Sequence, residues 1–247
     1  MTTFNKPLGM SEAETVAELV DANHILFNER VVDAFGHVSA RHPVDPHRFF
    51  LARSMAPALV EKSDIMLFDL DGVVVGDDSR PVYLERFIHS AIYRARPDVH
   101  AIVHSHSAAV IPFGVVKARP LRPVCHMGGF LGGGPPVFEI REEVGAASDL
   151  LIRNSALGGA LARKLADDAV VLMRGHGSTA VGSSIRQAVF RAIYTEKSAA
   201  MLADALKLGD VELLTTDEAD AAARTNDAQI DRPWQLWKMA ADAARGI

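Results

Sequence analysis

Apolar residues recur at helical spacing near the start of the chain, at Val16, Leu19, Val20, Ala22 and Ile25, and the run opens on Ser11 with Glu14 three residues on. Such a pair forms a capping box: the serine hydroxyl accepts from an amide of the first turn and the glutamate reaches back to the cap. A helix is expected over residues 11–29. The chain then turns through Gly36 and becomes extended. Residues 48–54 ("RFFLARS") and 64–76 ("DIMLFDLDGVVVG") read as strands, the second with a turn at Asp71–Gly72. Residues 83–99 form an amphipathic pattern whose helix must stop before Pro97. "HAIVHSHS" (100–107) is the next strand, and 107–116 a short helix. A Gly-Pro-rich loop over 124–140 leads into another strand. Residues 148–168 are helical, open to a break near Leu157–Gly158. Residues 169–182 are a strand running into a Gly-rich turn, and 184–209 a helix of about seven turns. The tail through residue 246 is helical and expected to dock on the rest.

Parallel neighbours need a long crossover, and several adjacent strands here lack one. The expected architecture is a mixed, mostly antiparallel sheet covered by helices on both faces. No repeat or linker divides it, so residues 1–247 are read as one domain with a C-terminal helical tail.

Composition narrows the function. The chain is 49% apolar and 23% charged, enough for a sizeable core. A net charge of −5 offers no footprint for nucleic acid. Cys125 is the single cysteine, which fits a reducing compartment. No apolar run is long enough to span a membrane, and the N-terminus lacks the regions of a signal peptide. A cytoplasmic protein is expected.

Ten histidines are many for this length. His104 and His106 stand two apart on a strand and so share a face. His176 ends another apolar strand between two glycines. Three imidazoles with one position left open make a catalytic metal site. Glu85 opens the helix before the H-x-H strand and could serve as fourth ligand or proton shuttle, or merely favour the helix start. His89, one turn on, could orient Glu85 or simply pack.

These elements occur in a specific order. Glu85 is followed by His89, by "RPDVHAIVHSHS" and later by "GHG" before a long helix, with "GHVSAR" and "DLDG" upstream. From the first helix to about residue 205 the chain resembles the class II aldolase/adducin family. The resemblance implies a three-layer α/β/α sandwich and a homotetramer of fourfold symmetry with active sites at subunit interfaces. It also implies a metal held by His104, His106 and His176, with Glu85 as acid/base residue and sometimes a resting ligand. One divalent ion per subunit is expected, Mn2+ or Zn2+, with Co2+, Fe2+ and Ni2+ open.

The sugar-phosphate aldolases of this family hold phosphate with small polar residues in three loops. Here the first loop carries His37 with Ser39, the second Arg53 with Ser54, and the third no serine before Glu85. These departures point to a small-molecule carboxylate instead, because arginine pairs with carboxylates through two parallel bonds. "FGHVSARHP", "LARSMAPALVE" and "RPW" resemble a smaller branch of metal-dependent decarboxylases acting on hydroxylated aromatic or pyridine dicarboxylates. The expected activity is therefore a metal-dependent decarboxylase (a lyase), with an aldolase of the same fold and a non-catalytic adducin-like scaffold as alternatives. Glu85 and His37 are the candidate proton carriers, and Arg53, Ser54, Ser39, His126 and Arg174 the candidate substrate contacts. Trp234 and Trp237 are read as docking anchors, with a contact across subunits open to them.

Overall fold

Ser11 caps the first helix through both halves of the expected box: its hydroxyl accepts from the Glu14 amide, and Glu14 accepts from the Ser11 amide at 2.7 Å. The computed structural model describes residues 9–246, so the first eight residues of the N-terminal stretch expected to lack a signal peptide lie outside the described residues. In chain order the elements are α1 (Glu12–Asn28), β1 (His37–Arg41), β2 (Arg48–Ala52), β3 (Ile65–Asp69), α2 (Arg86–Ala95) and β4 (Ala101–Ser105). There follow α3 (Ile111–Val115), β5 (Val137–Phe138), α4 (Arg141–Val144), α5 (Ser155–Leu165), β6 (Val170–Met173), β7 (Gly177–Gly182), α6 (Ile185–Leu208), α7 (Thr216–Asp227) and α8 (Asp231–Arg245).

The strands form one seven-stranded sheet in the order β3-β2-β1-β4-β7-β6-β5. Every pair is antiparallel except β5 with β6. Strand side chains alternate between faces, and two hydrophobic clusters follow that alternation. Ala101, Val103, Val170 and Leu172 pack with α1, α6 and α8. Ile102, Val171, Met173 and Val181 pack with α2 and α5. Helices therefore cover both faces, giving the three-layer α/β/α arrangement. On β1, Val38 and Ala40 join the first cluster, so His37 and Ser39 turn to the α2 side.

Several details differ from expectation. The break near Leu157–Gly158 is absent: α5 runs unbroken from Ser155 because Asn154 caps it, accepting from the Leu157 amide at 2.9 Å. Residues 148–154 precede it without helix. Gly158 is where α5 crosses α2, and a Cβ there would collide with the Phe87 carbonyl. The Gly-Pro-rich segment contains a 3₁₀ turn at His126–Leu131 packed against α7. Trp234 and Trp237 are buried within this chain, Trp237 beside Phe190 and Tyr194 and Trp234 under Arg186. They are intramolecular anchors, because α8 must cover the apolar face of α1 and α6. No described helix is long and apolar enough to cross a membrane.

Candidate active site

Four potential ligand atoms meet at the strand ends on the α2 side. The side chains of Glu85, His104, His106 and His176 each offer one, and all lie within 4.8 Å of one another. Nε2 of His106 is 3.2 Å from Nε2 of His104 and 2.9 Å from Nε2 of His176. Oε2 of Glu85 is 3.5 Å from His104 and 3.4 Å from His176.

Local structure delivers each group. His104 and His106 share a face of β4 and its extension, as their spacing predicts. Gly177 begins β7 directly against β4, and a Cβ there would collide with the Ser105 carbonyl, so only glycine lets His176 sit this close. Glu85 is the N-cap residue of α2 but does not cap it with its side chain. Its Oε1 accepts instead from the Ile152 amide at 2.9 Å.

Backbone carbonyls fix two of the imidazoles. Nδ1 of His104 lies 3.1 Å from the Ser178 carbonyl, and Nδ1 of His176 lies 3.0 Å from the Leu150 carbonyl. A carbonyl only accepts, so both Nδ1 atoms carry the hydrogen and both Nε2 atoms turn lone pairs inward. Such outer partners are what orient metal-binding histidines. Burial lowers the pKa of His104 despite the opposing pull of Glu85. Burial also lowers His106, to about 4, reinforced by His104 and His176. Burial opposes the charge of Glu85, while His104 and His176, which reach it through Nε2 and so attract and hydrogen-bond to it only when protonated there, pull the carboxyl well below the usual range. A carboxylate and inward lone pairs gathered this closely repel one another unless a cation lies among them. The donor set therefore fits a divalent metal ion, with nitrogen and oxygen ligands that suit zinc and several other transition metals.

Beside the cluster is a cavity of about 480 Å³ lined by Phe35, His37, Ser54, Met55, Tyr83, Leu84, Glu85, His106 and Leu151, among others. His37 pairs in register with His104 across β1 and β4, and its ring lies between His104 and Tyr83. Its Nδ1 is 2.6 Å from Nε2 of His89. The far nitrogen of His89 is 2.6 Å from Ser39 Oγ, which is 2.8 Å from the Tyr93 hydroxyl. Burial pushes His37 well below its ordinary pKa and His89 to about 3, so both rings are neutral.

The predicted residues divide accordingly. Glu85, His104, His106 and His176 converge, and His37 and Ser54 line the cavity. Ser39 does not: it is fully buried with its hydroxyl occupied by His89 and Tyr93. Arg53 does not line the cavity either. Its Nε is 2.8 Å from Asp64, an acid close enough along the chain to claim it first. Arg174 pairs with Glu139. His126 is exposed on the 3₁₀ turn, where its carbonyl accepts from Asn226. His89 does not orient Glu85; its two ring nitrogens are taken by His37 and Ser39. Sequence reasoning missed Phe35 and Tyr83 as cavity walls. Phe35, adjacent to Gly36 and 66% exposed, carried the one available signal: a large apolar residue beside a turn glycine.

The profile of the Class II Aldolase and Adducin N-terminal domain matches residues 17–203. The chain is 38% identical over 245 residues to the decarboxylase tropJ of Talaromyces stipitatus, covering 90% of this chain and 92% of that protein. It is 32% identical over 181 residues to the 3,4-dihydroxyphthalate decarboxylase of Arthrobacter keyseri, covering 67% of this chain and 68% of that protein. Among solved structures it resembles an L-fuculose 1-phosphate aldolase from Glaciozyma antarctica PI12, with a TM-score of 0.77 at 26% identity over 98% of this chain and 95% of that one. The matched span runs from within α1 to within α6 and takes in all four converging side chains, and the chain belongs to the class II aldolase and adducin family.

Proposed function

We propose that the protein is a divalent-metal-dependent lyase that decarboxylates a hydroxylated aromatic or pyridine carboxylate. One observation carries this reading: the cavity beside the Glu85–His104–His106–His176 cluster is walled by Phe35, Met55, Tyr83, Leu84 and Leu151. No lysine or arginine is among its described lining residues. A flat ring is accommodated by apolar walls, whereas a phosphate needs several polar donors. Likeness to two decarboxylases, one of them acting on a dihydroxyphthalate, supports the same conclusion.

In this reading His104, His106, His176 and Glu85 hold the ion. When bound, it supplies positive charge that orients the substrate oxygens and stabilises electron density left as CO2 departs. Phe35 and Tyr83 hold the ring. Glu85 is ionised, which suits a base that takes the proton of a ring hydroxyl; once protonated it is an acid at the cavity wall that can pass that proton to the ring carbon losing CO2. His37 contacts a substrate oxygen and Ser54 a carboxylate at the cavity wall. Exposed Phe35 and Leu84 in the cavity lining support a homotetramer whose neighbouring subunit closes the site. Light scattering tests that part, and an active monomer would contradict it.

The test of function is CO2 release from hydroxylated benzene and pyridine dicarboxylates by protein loaded with Mn2+ or Zn2+, run beside sugar phosphates. Cleavage of a sugar phosphate with no action on any aromatic acid would replace the decarboxylase with an aldolase. A protein that binds no stoichiometric ion would indicate a scaffold.

A further inference from the structure

We propose that Ser39, His89 and Tyr93 form a one-way hydrogen-bond relay that fixes the tautomer of His37, so that His37 presents an N–H from Nε2 to an anionic substrate oxygen. The identity of that oxygen rests on the decarboxylase reading; the relay itself does not.

The direction of the relay follows from its closed end. Tyr93 is buried at the back of α2, and its hydroxyl meets Ser39 Oγ at 2.8 Å. Arg41, the polar group over the Tyr93 ring, is a cation and accepts nothing. A buried hydroxyl hydrogen needs an acceptor. Tyr93 therefore donates to Ser39. Burial also raises the Tyr93 pKa, so the hydroxyl keeps that hydrogen. Ser39, having accepted, gives its own hydrogen to Nδ1 of His89 at 2.6 Å. His89 is then a neutral ring with its hydrogen on Nε2, which it donates to Nδ1 of His37 at 2.6 Å. His37 is left with its hydrogen on Nε2. With Nδ1 engaged, Nε2 is the nitrogen it offers to the cavity it lines. The reverse direction would strand the Tyr93 hydrogen in the core.

The arrangement gives a pocket with no lining arginine or lysine one oriented donor for negative oxygen. It also explains two inward polar residues on a strand and helix that otherwise face a hydrophobic layer: Ser39 on β1 and His89 on α2. Ser39, His89 and Tyr93 act through His37 and are positioning residues.

Neutron diffraction from crystals of the metal-loaded protein exchanged into D2O tests the relay directly. Deuterium is expected on Nε2 of His37 and Nε2 of His89, with both Nδ1 atoms bare. Deuterium at Nδ1 of His37, alone or shared with Nε2, overturns the proposal. This readout needs no turnover, so it stands even if no aromatic acid proves to be a substrate. Kinetics add a second arm. Ser39→Ala should raise KM for the carboxylate roughly tenfold, as expected when a hydrogen bond to a charged group is weakened. Metal content should not change, and Ser39→Thr, which keeps the hydroxyl, should restore KM. In a His37→Asn background Ser39→Ala should have no further effect on KM. An equal effect in both backgrounds would mean that Ser39 acts on packing and not through His37.

Discussion

The carbonyl oxygen of Leu150 lies 3.0 Å from Nδ1 of His176, and Leu150 holds it there from the left-handed region of backbone space, at φ 69°. Two residues later the Ile152 amide donates to Glu85. One short irregular segment thus orients two of the four converging groups. A non-glycine residue at positive φ costs on the order of 1–3 kcal/mol and persists where surrounding structure imposes it. Leu150→Pro would force φ to about −65° and turn the carbonyl away. Metal affinity should fall roughly 10–100-fold, as for other partners of metal-binding histidines. Competition with a chelator of known affinity measures this; unchanged affinity would show that Leu150 does not orient His176.

Removal of the ion is expected to abolish turnover and lower the melting temperature, because a ligand that binds only the folded state stabilises it by mass action. His106→Ala should reduce bound metal well below one ion per chain, since His106 lies within 3.2 Å of both other imidazoles. Elemental analysis of the dialysed variant reads the outcome. Full metal content in His106→Ala would remove it from the ligand set.

Glu85→Gln keeps an oxygen for the Ile152 amide and loses the charge. Turnover should fall roughly 10²–10⁴-fold if the carboxylate carries a proton. With excess metal the site should still fill. A variant as active as the parent would refute both the ligand and the proton-carrying role.

Arg53 is tied to Asp64 at 2.8 Å, with Arg80 also 3.9 Å from the same acid. Arg53→Ala is expected to cost about 1 kcal/mol or less of stability, typical of a partly exposed ion pair. KM should change little. A large rise in KM would return Arg53 to the role of carboxylate anchor.

Stability should also depend on pH through His89. Burial lowers its pKa from the usual 6.5 to about 3. Between those values the unfolded chain binds a proton that the folded chain does not. Stability is therefore unaffected by this group above about pH 6.5 and falls as pH drops toward 3. Melting temperatures of the parent and His89→Gln between pH 7 and about pH 5 should converge as pH falls. Parallel profiles would mean that His89 takes up its proton alike in the folded and unfolded chain, so that burial does not lower its pKa.

Much of this protein is written in local pattern. The capping box of α1 follows from Ser11 and Glu14 three residues apart, the shared face of His104 and His106 from the two-residue repeat of a strand, and the mostly antiparallel pairing from the lack of crossovers between neighbouring strands. Gly177 beside His176 is legible too, since close approach of two strands excludes a Cβ. Choices among partners far apart in the chain are different. An ion pair of Arg53 with Glu61 or Asp64 is open to the sequence, but nothing in it says that Ser39 faces Tyr93 rather than a substrate, or that His89 bonds His37, 52 residues away, and not Glu85 on its own helix. Each of those groups had several acceptors or donors within reach of its composition, and only the packing of β1 against α2 and of residues 150–152 against the strand ends selects one. Periodicity determines which face a side chain takes, whereas the tertiary structure decides what stands opposite it, because a hydrogen bond depends on distance and direction in space and the chain between its partners leaves both free.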